Sequence, residues 1–242
     1  MRSVKAFFRV LGACCGWAML VCILWVLLLR FVPPPVTWAM VDQKHAQGGV
    51  QRTWKPLRGI ARAMPMAVIA AEDQLFFSHH GFDLEAMRKA IHHNERSKRK
   101  RGASTISQQT AKNVFLWPGR NFLRKGLEAG FTILIEALWP KERILEVYLN
   151  VAETATGCFG VEAVAQRCYK RGAAKLGPAQ AATIAAVLPA PRRYNACAPS
   201  PYVRRRAAWV QRQMAQLGNL MVPAVREQGQ ELRQGRPRRN RQ

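Results

Sequence analysis

The fourteen residues AAEDQLFFSHHGFD, Ala70 to Asp83, place Glu72 and Asp73 a short step from the adjacent pair His79 and His80. Such a set could bind a metal, exchange protons, or simply decorate a helix end. The metal reading would draw on His79, His80, His92 and His93, four of the five histidines. Adjacent histidines point to different faces, the spacing His-Glu-x-x-His is absent, and no second carboxylate sits at a matching offset. Capping or packing is the better reading for them, so no metal site is assigned. The acid/base reading is more coherent. A helix running to His79 puts Glu72, Phe76 and His79 at i, i+4 and i+7 on one face, and Gly81 supplies a left-handed stop. Apolar surroundings raise a carboxyl pKa and suit it to proton transfer near neutrality. The plainer alternative leaves Glu72 and Asp73 as surface carboxylates.

A second candidate lies in RKRGASTISQQTAKNVFLWPGR. Gly102 and Ser104 read as a loop and N-cap opening a helix. On that helix Ser104, Gln108 and Lys112 form one polar stripe, and Thr105, Gln109 and Lys112 or Asn113 a neighbouring one. Backbone amides at a helix start, together with a lysine, favour a phosphorylated ligand. A solvated helix face has the same composition. Further on, Arg120, Arg124 and Lys125 precede Glu128, and Lys125 and Glu128 share a face at i, i+3. A surface salt bridge would explain that pair, yet Glu128 opens a strongly apolar helix. The pattern Ser97-x-x-Lys100 matches a penicillin-binding nucleophile by spacing alone and has no partner motif.

These groups must be positioned by a chain of 242 residues with a formal charge of +24. So large a charge calls for an anionic partner: nucleic acid, acidic membrane surface or phosphorylated substrate. The run VLGACCGWAMLVCILWVLLL, Val10 to Leu29, is uncharged and long enough to cross a bilayer. It lacks the small-residue cleavage site of a removable signal peptide, so an uncleaved anchor is expected. The N-terminus is expected inside and the remainder outside the cytoplasm, which disfavours nucleic acid. The basic run Arg96 to Arg101 then reads as a loop near anionic headgroups. Outside the anchor lie Cys158, Cys168 and Cys197; one disulfide with a free thiol, or three buried thiols, both fit. The expected organisation is a cytoplasmic N-terminus at 1–9, a transmembrane helix at 10–30, a linker and membrane-proximal segment at 31–56, a helical domain at 57–222 and a basic disordered tail at 223–242. Helical periodicity dominates the domain, and strand-like alternation is nearly absent.

Five ordered segments, EDQLFFSHHGFD, GASTISQQTAKN, RKGLEAGFTILIE, KERILEVYLN and GCFGVEAVAQRCY, resemble the glycosyltransferase domain of peptidoglycan synthases. With a short anchor and no transpeptidase domain, the chain is similar to the monofunctional biosynthetic transglycosylases of Gram-negative bacteria. The resemblance runs from about Ala61 to Leu217. It implies a mainly α, lysozyme-like fold with a single N-terminal transmembrane helix, in the bacterial inner membrane with its catalytic domain periplasmic. The implied partners are lipid II, the growing glycan chain, membrane lipids and other cell-wall synthesis or division proteins, with no nucleic acid. Glu72 matches the family's general base and Glu128 its second carboxylate. Lys112, Arg120, Arg124 and Lys125 match positions around the substrate pyrophosphate. Ser104, Thr105, Gln108 and Gln109 carry over as substrate-contacting or loop-shaping, and Asp73, Phe76 and His79 as supports for Glu72. No cofactor is required, and a divalent cation near the pyrophosphate is left open. Departures from the family pattern are Gln180 in PAQAAT, Ser107, and Cys158 and Cys168 in the fifth segment. A lytic glycosidase would share the fold and a catalytic glutamate. A noncatalytic scaffold would share only the basic surface.

Overall fold

The apolar N-terminal run becomes one helix, α1 (Arg2–Phe31), in a computed structural model that describes residues 2–47, 49–97, 102–119 and 121–218. The stretch Lys5–Phe31 is long and apolar enough to span a membrane. Most of α1 projects freely, but its last turns are docked. Val26 and Leu29 are buried, and Trp25 meets Phe115 edge-on at 5.2 Å. The Trp139 indole N–H donates to the Val26 carbonyl at 2.8 Å, and the Arg143 guanidinium donates to the carbonyls of Leu29 and Val32, each at 2.8 Å. Leu29 lies in the last turn, whose carbonyls the helix cannot satisfy internally. Arg143→Ala in the detergent-solubilised full chain is expected to lose about 2 kcal/mol, seen as a melting midpoint several degrees lower. An unchanged midpoint would contradict a docked anchor.

The helical body follows. α2 (Trp38–Gln47) leads to β1 (Gln51–Arg52). Then come α3 (Ala63–Glu72), α4 (Leu84–Arg96), α5 (Ile106–Phe115) and α6 (Phe122–Leu138). After α7 (Lys141–Val151), a hairpin of β2 (Glu153–Ala155) and β3 (Cys158–Phe159) precedes α8 (Val161–Tyr169), α9 (Pro178–Val187) and α10 (Pro201–Leu217). The small sheet has the order β1-β3-β2, with β1 parallel and β2 antiparallel to β3.

Two packing groups define the body. α9 is apolar along most of its length and lies against α3 and α10, while α5 lies against α6 and α7. Ile69, Ile106, Ile135, Tyr148 and Ile184 are all buried where these helices meet. Close approach is enforced by glycine at two points. A Cβ on Gly160 would come within 2.8 Å of the Asn150 carbonyl oxygen, and one on Gly81 within 2.8 Å of Thr132 Cγ2; both glycines have positive φ.

Two local expectations are corrected. The helix carrying Glu72 does not reach His79: α3 ends at Glu72 and the chain then passes through turns. The reason is Asp73, whose carboxylate accepts from the Ile106 backbone N–H at 2.9 Å and faces His79 Nε2 at 2.9 Å. These bonds, the first of them long-range, win over helical continuation. Phe76 and His79 therefore do not share a helical face with Glu72, and the left-handed Gly81 closes the turn segment instead. The N-cap of α5 is Thr105, not Ser104. Thr105 Oγ1 accepts from the Gln108 N–H and Gln108 Oε1 accepts from the Thr105 N–H, a reciprocal capping box.

The cysteine alternatives are resolved. Cys168 pairs with Cys197 across 29 positions, tying the end of α8 to the segment ahead of α10, and Cys158 is a buried free thiol. Closing a loop of that length is worth about 3–4 kcal/mol. The double variant Cys168→Ala/Cys197→Ala is expected to melt well below wild type and to lose sensitivity to reductant. Equal midpoints with and without reductant in the wild type would contradict this. Gln180, a departure from the family pattern, has its own local role: its Oε1 accepts from the Gly177 N–H at 3.1 Å and caps α9. The tail at 223–242 lies outside the described residues, as do Lys98 to Arg101 of the basic run.

Candidate active site

An open cleft of about 1130 Å³ separates the two packing groups. Its walls come from the C-terminal end of α3, the α5 N-terminus, the start of α6, α7, and the segment joining α9 to α10. Of the residues expected from sequence, Glu72, Asp73, Ser104, Thr105, Gln109, Lys112 and Arg124 line it.

Glu72 is the last residue of α3 and is partly buried. Its Oε2 accepts from Gln109 Nε2 at 3.0 Å. Gln109 is itself oriented by the Tyr148 hydroxyl, which donates to its Oε1 at 3.3 Å. Burial pushes the Glu72 carboxyl above the usual glutamate range, and the Asp73 charge pushes the same way; the Gln109 bond, Arg206 and Lys112 oppose this without reversing it. A carboxylate raised in this way is ionised at neutral pH less completely than a surface one and is correspondingly more basic.

Asp73, 7% exposed, is structural rather than a second open carboxylate. The Gly81 N–H donates to His79 Nδ1 at 3.1 Å, which leaves Nε2 as the nitrogen that donates to Asp73. Phe76 is fully buried beneath this network, and the Lys141 ammonium lies 4.6 Å from its ring centroid. Asp73, Phe76 and His79 thus hold the turn that follows Glu72, and Asp73 also reaches the first residue of α5. Thr105 and Gln108 are buried and absorbed by the capping box, with Thr105 Oγ1 donating to the Gly81 carbonyl at 2.6 Å. Only Gln109 of that group bonds directly to Glu72.

The cationic side is built on α6. Asn121 caps it by accepting from the Arg124 N–H at 2.7 Å, which places Arg124 at the helix start and Glu128 one turn later. Arg124 Nη1 donates to Glu128 Oε2 at 3.2 Å, and Lys125 Nζ donates to Glu128 Oε1. Glu128 is 3% exposed and does not line the cleft. Arg124 is also buried, and its Nε has no hydrogen-bond partner, so Glu128 does not exhaust the guanidinium. Lys112, one turn before the end of α5, faces the same cleft. Arg120 lies outside the described residues.

Sequence reasoning missed four contributors. Tyr148 orients Gln109 but sits in a segment that reads as a plain apolar helix. Arg206 donates to the Ala71 carbonyl at 3.1 Å, lies over Trp209 at 4.3 Å, and brings positive charge to Glu72 from α10. Nothing in its local run of arginines marks it out. Arg192 and Arg193 line the cleft from the segment after α9.

A helical body whose cleft is lined by a carboxyl raised by burial together with Lys112 and Arg124 fits the lysozyme-like fold of a glycosyltransferase. Residues 40–215 match the model of the transglycosylase family. The chain is 53% identical over 221 residues to a biosynthetic peptidoglycan transglycosylase of Pseudomonas fluorescens, covering 89% of this chain and 92% of the relative. It is 53% identical over 203 residues to the protein of that name from Xanthomonas axonopodis pv. citri, covering 81% and 82%. The Pseudomonas aeruginosa relative is 50% identical over 221 residues, covering 89% and 95%. The chain belongs to the transglycosylase family, and it is a peptidoglycan glycosyltransferase.

Proposed function

We propose that the cleft polymerises lipid II, a disaccharide-pentapeptide joined through pyrophosphate to a polyprenyl chain. Glu72 takes the proton from the 4-hydroxyl of the acceptor N-acetylglucosamine. The oxygen attacks the anomeric carbon of the donor N-acetylmuramic acid, the bond to the pyrophosphate oxygen breaks with its electron pair, and the α link becomes β. A single displacement of this kind requires base and leaving group on opposite faces of the sugar. Lys112 and Arg124 stabilise the charge that grows on the departing pyrophosphate, with Lys125 and Arg120 adding to the positive field. Glu128, hidden from the cleft and bonded to both Arg124 and Lys125, acts by aiming those cations. Ser104 and Gln109 contact substrate or hold the base, whereas Thr105 and Gln108 shape the loop.

The observation that carries this reading is the pairing, in one cleft, of a carboxyl raised by burial with Lys112 and Arg124. A glycan-cleaving enzyme has no phosphate leaving group for those cations to meet. The anchor, the basic surface and a lipid-linked anionic substrate agree with an N-terminus in the cytoplasm, a catalytic domain spanning 57–222 in the periplasm, and an inner-membrane location. Other cell-wall synthesis or division proteins are the expected protein partners.

Incubating the purified full chain with labelled lipid II tests the proposal. Glycan strands should lengthen with time. Shortening of preformed glycan would instead support a lytic enzyme, and no change in either would support a scaffold. A chelator series in the same assay decides whether a divalent cation shares the pyrophosphate site.

A further inference from the structure

The segment between α9 and α10 carries a second cavity, about 610 Å³, lined by Arg193, Tyr194, Ser200 and Tyr202. Arg193 also lines the main cleft, so the two cavities share a wall residue. The rings of Tyr194 and Tyr202 stack with centroids 5.0 Å apart, and the Arg193 guanidinium lies 5.7 Å from the Tyr194 centroid. Tyr194 packs against the core, whereas Tyr202 is 39% exposed, so the outer ring of the stack faces solvent. The segment is nevertheless firmly braced. Cys197 is bonded to Cys168, Arg204 donates to the Pro199 carbonyl at 2.7 Å, and Arg192 Nε donates to Glu153 Oε2 at 3.0 Å. Rings held in place before a ligand arrives lose little entropy on binding.

We propose that this notch is a saccharide subsite that holds the growing glycan beyond the reacting sugars, an inference that rests on the polymerase reading. A strand of more than a few sugars must leave the cleft, and the notch lies beside it, across the shared Arg193. An aromatic face suits the C–H face of a hexosamine ring, the Ser200 hydroxyl suits its polar substituents, and Arg193 meets the carboxylates of the attached peptides. The occupant is the product strand itself.

The test uses the full chain and a lipid-free tetrasaccharide of alternating N-acetylglucosamine and N-acetylmuramic acid carrying its peptides, titrated by calorimetry. Tyr202→Ala should weaken binding about fivefold or more, from loss of one aromatic contact, and should shorten the strands made from lipid II. Tyr202→Phe should bind as wild type does. A Tyr202→Ala affinity equal to that of wild type would overturn the subsite. The titration involves no turnover, so it is independent of the polymerase reading, which fails separately if the wild type makes no strands at all.

Discussion

Glu72→Gln is expected to reduce glycan polymerisation by about 10²–10⁴-fold, the range general-base catalysis supplies, while leaving the protein at least as stable as wild type at neutral pH. Both halves follow from one geometry. Glutamine keeps the shape of the side chain and can still accept from Gln109, whose Nε2 lies 3.0 Å from Glu72 Oε2, but it cannot take a proton from an incoming hydroxyl. The stability half follows from linkage. Burial raises the folded-state pKa of Glu72, so its contribution to stability is fully present below the ordinary glutamate value and is lost as pH rises through the raised one. The substitution removes that loss. Denaturant melts of both proteins at about pH 4 and about pH 8 bracket an ordinary carboxyl. The variant should gain on wild type at the higher pH. A variant that polymerises normally, or a stability difference that ignores pH, would count against Glu72 as a buried base.

Glu128→Gln should show the opposite signature, losing stability and rate together. Glu128 and Arg124 are 3% and 8% exposed, and breaking a buried pair by removing one partner costs about 3–5 kcal/mol. Lys125 is half exposed, so its half of the arrangement contributes little and the loss should fall toward the lower end. The rate effect comes through aim rather than proton transfer. With no anion behind it, Arg124 loses its fixed direction toward the leaving group, and removing one such preorganised donor typically costs about 10²–10³-fold. Because that charge develops in the transition state, the loss should appear in kcat more than in KM. A change confined to KM with unchanged melting would contradict the positioning role.

The sequence made the long elements and their chemistry legible where the signal was local. The anchor shows as an uncharged apolar run, and the pair Lys125 and Glu128 as helical spacing. What failed was decided at long range. Spacing alone extended the Glu72 helix to His79, yet Asp73 bonds to Ile106 across 33 positions and stops it. Ser104 and Thr105 are both good caps by type; the reciprocal bond to Gln108 selects Thr105. Neither Tyr148 nor Arg206 could be placed beside Glu72 without knowing that α7 and α10 flank the cleft. The cysteine pairing is likewise a matter of which loop returns to the end of α8. Glu72 and Lys112 stand out by residue type and spacing, and the family resemblance gives them and Arg124 their roles, but their meeting in one cleft depends on tertiary packing of α3, α5 and α6.

The central claim is a single displacement at the donor anomeric carbon, with Glu72 on one side of the sugar and pyrophosphate-directed cations on the other. Its most direct measurement is the configuration of the new linkage, read by NMR on strands made by the wild-type chain, together with the lipid pyrophosphate released. The expected result is a β-1,4 link between N-acetylmuramic acid and N-acetylglucosamine, with one polyprenyl pyrophosphate released per link. An α linkage, or pyrophosphate released without a new glycosidic bond, would contradict it.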